Sequence, residues 1–298
     1  MLKTGIKKEM MFFTRSFRLW GIILAAVMFA VVSPLLMRLS LFMMSAIEDA
    51  TLDPGKNDPS ISENVNDMKT DMSVNLSVSP DMDFGSMTDE EYMAPLSIVG
   101  AMGDLTSTLM LVTMLVTMYS AGSELKKRSM IIPQNAGLTP KLYILPKFIV
   151  YPLAMALIGF CGVWISYGTT SLVFSGVDIA PKAVAITSLS VAVFDAFMTT
   201  VYFTLGLCTS KAGLSVVILY GGNVILTTLF SALGADKFHP FTLTSQAQTA
   251  LMGEKTDSLN LWGSIGITVL IMILCYFVTL FVFSAKKIDN RGREEMEL

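Results

Sequence analysis

The sequence predicts an all-α integral membrane protein: six transmembrane helices, an N-terminal in-plane amphipathic helix, and short outer helices before the last span. Three observations carry this. Of 298 residues, 53% are hydrophobic and only 15% charged, with a mean hydropathy of +0.61, whereas soluble domains carry about a quarter charged residues. Six stretches are apolar over the length needed to cross a hydrocarbon core of roughly 30 Å, which takes about 20 helical residues. The Lys and Arg residues between them are concentrated in alternate connections, which sets an orientation.

Residues 1–18 form the amphipathic element. Ile6, Met10, Phe13, Phe17 and Trp20 fall on one helical stripe, with Lys7, Lys8, Arg15 and Arg18 gathered opposite, the pattern of a helix lying on a lipid headgroup layer. A signal peptide is the competing reading of a basic start before an apolar run. Against it, this run exceeds the usual apolar region of about 7–15 residues, and no small-x-small cleavage site follows.

The remainder, residues 19–298, holds the spans. They are placed near Leu19 to Met37, Leu96 to Met118, Phe148 to Phe174, Val184 to Leu207, Leu214 to Leu233 and Leu261 to Ser284. Between the first two, residues 48–95 carry twelve acids against Lys56 and Lys69, a net charge of −10. This reads as a solvated acidic outer loop, with a collector of cations as the sharper alternative. Asp81-x-Asp83-x-Gly85 begins like a calcium loop, but Tyr92 stands where the closing carboxylate belongs. The methionines of this loop are matched by methionines throughout the chain, which weakens a Cu(I) reading.

Pro146 and Pro152 open the third span, and Gly159, Gly162 and Gly168 in it permit close helix approach. Gly221-Gly222-Asn223 interrupts the fifth. Residues 234–260 are too apolar for a plain loop and too short to cross, so they are predicted as short outer or re-entrant helices. The last span runs out at Lys286-Lys287-Ile288-Asp289 into a charged, frayed tail.

With the N-terminus inside, the inner side holds fifteen Lys and Arg residues and the outer side five, namely Lys56, Lys69, Lys182, Lys237 and Lys255. Both termini are therefore predicted to be cytoplasmic, in a multi-pass protein of a bacterial plasma membrane. Two acids lie inside spans. Asp104 falls in the second, within the expected reach of Arg38, and Asp195 falls near the middle of the fourth, where insertion scales charge about 2.5–3.5 kcal/mol. These three mark either a polar pathway or subunit interface, or, for Asp195, a protonated or hydrogen-bonded residue in the packing of the bundle.

Several chemistries are missing from the sequence. There is no Gly-x-x-x-x-Gly-Lys-Ser/Thr loop for ATP phosphates, and the single histidine, His239, removes a His-Glu-x-x-His site. No Cys/His cluster has metal spacing, and Cys161, Cys208 and Cys275 all fall in or beside spans, which implies no disulfide framework. No catalytic residue, cofactor, metal or nucleic-acid contact is therefore assigned to this chain.

The most specific stretch is the basic inner loop of residues 119–147. Glu124 precedes Arg128 by four residues, the order that supports a helical turn. Pro133 and Gly137 punctuate, and Thr139-Pro140 reads as a helix start, so two short helices are expected here. Glu124, Lys127, Arg128, Gly137-Leu138-Thr139, Tyr143-Ile144 and Lys147 together resemble the Glu-x-x-x-Arg-Thr … Lys segment of the membrane subunit of type-2 ATP-binding-cassette (ABC) transporters. The basic amphipathic start resembles that family's connecting helix, and residues 238–251 are similar to its outer helices. Ser129 stands where the family commonly has Thr, and the acidic loop is longer than in its simplest members.

The resemblance implies that Glu124, Lys127, Arg128, Ser129 and Ile132, supported by Leu138, Thr139 and Tyr143, form a coupling helix that docks on a cytoplasmic ABC ATPase subunit. It implies that ATP and Mg bind that partner, that a second permease subunit completes a homo- or heterodimer, and that the pair exports a substrate through the lipid membrane. The competing class is a self-powered secondary transporter or channel using the intramembrane Asp residues, which would show inverted repeats. The sequence has none.

Overall fold

The computed structural model describes residues 2–15, 17–51, 89–117, 140–209, 225, 228–234, 238–253 and 258–296. Its helices are α1 (Leu2–Arg15), α2 (Phe17–Thr51), α3 (Asp89–Thr117), α4 (Pro140–Val173), α5 (Pro181–Thr209), α6 (Thr242–Leu251) and α7 (Ser258–Met296), with no strand among the described residues. Five are long and apolar enough to cross a membrane: Leu19–Met43, Glu91–Val112, Lys141–Val173, Pro181–Cys208 and Leu259–Val282. At ten residues, α6 is too short to do so. The predicted span Leu214 to Leu233 lies outside the described residues except for Ile225 and 228–233.

Three boundaries differ from the sequence reading. The acidic connection is narrower than 48–95, because α2 runs to Thr51 and α3 starts at Asp89. Residues 89–91 therefore belong to a helix rather than to the connection. Residues 140–147, expected as a separate short helix, are continuous with the third span. Pro140 occupies the first helical position, where its missing N–H costs nothing, and Pro146 and Pro152 are carried inside the helix. Finally, α7 continues past Lys286-Lys287 to Met296. The helix thus covers residues where a frayed tail was expected.

Close contacts fix the register of the bundle. Ser33 Oγ donates to the Ser97 carbonyl (3.3 Å), and the Ser97 and Thr170 hydroxyls lie 3.0 Å apart. Further along the same pair of helices, Leu105 fills the space beside Gly162. So α3 runs antiparallel to α4, and also to α2, whose Ile22 and Ala26 share a cluster with Leu105 and Leu109 while its Met37 and Leu41 share another with Met93. On the next face, Asp195 of α5 meets Gly159 of α4. The α5 helix is the most enclosed of the five and α7 the least, because α5 is packed on α3, α4, α6 and α7 at once.

Thr187 Oγ1 donates to the Ala247 carbonyl (3.2 Å), Gln246 Nε2 donates to Ser264 Oγ (3.2 Å), and Thr279 Oγ1 donates to Thr204 Oγ1 (3.3 Å). Thus α5 and α7 run in the same direction, with α6 at the end where both begin. Hydroxyl pairs inside membrane bundles contribute only about 0.6 kcal/mol on average. Thr279→Val is accordingly expected to leave the apparent melting temperature in detergent nearly unchanged.

At the other end of the bundle, an aromatic chain ties four helices. Phe13 of α1 meets Tyr151 of α4 edge-on (4.9 Å), Tyr151 meets Phe203 of α5 (4.8 Å), Phe203 meets Phe148 (6.3 Å), and Phe148 meets Tyr276 of α7 (5.6 Å). Each such pair adds roughly 0.5–1.5 kcal/mol beyond its burial. The N-terminal helix and the later half of α7 therefore lie at the same end of the bundle.

Candidate functional site

The residues singled out by sequence separate into two places. One is the foot of α4, where the inner loop enters the bundle. At 33 residues the apolar part of α4 is about 50 Å long, well beyond a hydrocarbon core of roughly 30 Å, so its first turns extend past the apolar layer or the helix tilts.

The N-terminal helix covers this foot. A Cβ on Gly5 would come within 3.0 Å of Pro146 Cγ, Glu9 Oε1 lies 3.4 Å from Lys147 Nζ, and the Phe13 ring meets Tyr151. The three α1 positions are four residues apart and meet α4 in order. The two helices thus run side by side in the same direction for two turns.

Lys147 is 1% exposed and Glu9 7%, so this ion pair is withdrawn from solvent, and the Lys147 ammonium also stands 5.1 Å from the centre of the Tyr143 ring. The pairing turns α1 from its expected stripe: Phe13 is buried as predicted, while Met10 is exposed, as is Trp20 in the first turn of α2. Sequence reading missed Glu9 altogether. Its signal was positional, since Glu9 is the one acid of α1 and shares the i, i+4, i+8 face of Gly5 and Phe13.

The second place is the interior around α5. Asp195 is 4% exposed, its Oδ2 rests against Gly159, and that oxygen has no hydrogen-bond partner. Thr199 Oγ1 donates to the Asp195 main-chain carbonyl (2.6 Å) and leaves the carboxyl untouched. Ser166, two turns along α4 from Gly159 and wholly buried, likewise has a hydroxyl without a partner. Among the described residues no group of three His, Cys, Asp or Glu side chains comes together.

Of the expected coupling residues, only Tyr143 is described, half-buried in α4. Glu124, Lys127, Arg128, Ser129, Ile132, Leu138 and Thr139 lie outside the described residues. Asp104 and Arg38 are both exposed. The register set by Ser33 and Ser97 brings Arg38 level with the region of Met93, about ten residues and roughly 15 Å of helix rise from Asp104. Arg38 lies instead over the Phe174 ring, 5.5 Å from its centre, so the expected reach to Asp104 is corrected. His239, just ahead of α6, is 3% exposed, and its Nδ1 accepts from the Phe241 N–H (3.2 Å).

Comparison with family models, with characterised proteins and with solved structures finds no match. The fold itself defines the class: an all-helical, multi-pass membrane protein with at least five helices able to cross the bilayer.

Proposed function

We propose that this chain is the membrane-spanning permease subunit of an ATP-driven ABC exporter, working as a dimer with a separate cytoplasmic ATPase. The observation that carries the reading is the foot of α4. The basic loop that resembles a coupling helix ends in Tyr143 and Lys147, and these belong to a helix bolted to α1 through Glu9 and Phe13. A push on that loop would move α1 and α4 as one body, and the aromatic chain through Phe203 and Tyr276 would carry it into α5 and α7. Catalysis would remain with the partner ATPase, with its ATP and Mg.

Six spans and cytoplasmic termini form part of the proposal. In its support, Thr209 at the close of α5 and Thr242 at the start of α6 stand at opposite ends of the parallel pair α5 and α7, and the predicted fifth span falls within the interval between them. Lys3, Lys7, Lys8, Arg15, Lys141 and Lys147 gather at the end that holds α1, which the positive-inside rule makes cytoplasmic. There α1 would serve as the connecting helix at the inner leaflet.

The test is purification of the tagged protein from gently solubilised membranes. An ATPase should co-purify with the wild-type chain and be lost when residues 124–132 are deleted. A chain that purifies without any ATPase would overturn the proposal.

A further inference from the structure

We propose that Asp195 is a proton-binding site in the interior of a single chain, loaded while α4 and α5 are closed on each other. The observation is a carboxyl oxygen, Oδ2, wholly enclosed in a membrane bundle, facing the Cα of Gly159 and receiving no hydrogen bond. A carboxylate in that position needs a cation, a hydrogen-bond donor or a proton.

Among the described residues the surroundings supply neither of the first two. Level with Asp195, the helices packed around α5 bring it no charge among the described residues. On α4, Cys161 is exposed and Tyr151 is engaged with Phe13 and Phe203. On α3, Asp104 is exposed; α6 has no titratable residue, and His239 just ahead of it stacks on Phe241, the ring that meets Phe194 and Phe197, and makes no ion pair with Asp195; on α7, Cys275 and Tyr276 lie a turn or more towards Thr279. Within α5 itself, Lys182 is exposed at the first turn, Tyr202 lies two turns further along among Phe194, Phe197 and Met198, and Cys208 follows at the far end.

A metal ion is no better served. Hard cations take six or more oxygens, whereas here there is one free carboxyl oxygen, the Thr199 hydroxyl is spent on a main-chain carbonyl, and Ser166 is about 10 Å away along α4. A proton needs only the carboxyl. Gly159 is what admits it, since any side chain there would occupy the place of Oδ2. Because the acid fits this space in its neutral form, release of the proton has to accompany parting of α4 from α5, which couples protonation to the conformation of the helix that carries the inner loop.

The experiment is an infrared difference spectrum between wild type and Asp195→Asn in lipid membranes at neutral pH. Asn is neutral and nearly isosteric, so the variant keeps the packing. Loss of a protonated carboxylic C=O band in the variant is expected; loss of a carboxylate band pair instead would overturn the assignment. A second measurement needs no variant. Dicyclohexylcarbodiimide, an apolar reagent, adds the acid O–H across its C=N bond: the proton goes to nitrogen, the carboxyl oxygen bonds to the central carbon, and the O-acylisourea rearranges to a stable N-acylurea. Peptide mapping by mass spectrometry should find this adduct on Asp195, and its absence there would count against the proposal.

Discussion

Replacing Glu9 with alanine is expected to destabilise the protein by about 3–5 kcal/mol, the cost of breaking a buried ion pair by removing one partner. The size follows from where the charges sit. The Lys147 side chain is 1% exposed and that of Glu9 10%, so water does little to replace the lost carboxylate beside the ammonium, and α1 loses the central contact of its buried face. Thermal unfolding followed by reaction of the free cysteines with a thiol dye measures this, since Cys208 and Cys275 are only partly accessible in the folded protein. The exchange Glu9→Lys with Lys147→Glu should recover most of the loss. If the exchanged pair melts as low as the single variant, the contact is not a specific pair.

The second large effect is expected at Gly159. A Cβ there collides with Asp195 Oδ2 and comes to 3.2 Å of Val191 Cγ1, and extra atoms forced into a packed interior cost about 1–3 kcal/mol. Gly159→Ala should therefore lower the melting temperature on its own. Combined with Asp195→Ala, which empties the contested space, the same substitution should cost much less. Residues in contact show coupling energies of about 0.5–3 kcal/mol, and strict additivity of the two changes would mean that α4 and α5 do not meet at this point.

The sequence made the spans legible and left their partners obscure. Apolar length alone located the five described crossings, because lipid leaves an isolated segment no alternative to a helix. The ends were harder, since they are decided by local helix chemistry rather than by apolarity: Asp89 to Glu91 and Asp289 to Arg293 are polar and helical together. Asp195 stood out as a charge in a span, and Gly159 as a small residue, but nothing one-dimensional joins positions 36 apart on two helices. Glu9 was the least visible. A single acid among the lysines of a basic helix looks like surface, and only the approach of Lys147, 138 residues later, makes it interior.

The claim that an ATPase drives this chain through its inner loop is tested most directly by ATP hydrolysis in the purified, membrane-reconstituted complex, compared between wild type and Arg128→Glu. The prediction is that hydrolysis accompanies the wild-type chain and that charge reversal uncouples it from transport, while both proteins insert equally and show the same cysteine accessibility. Hydrolysis and transport unchanged by the reversal, or no hydrolysis with the wild-type chain, would contradict it.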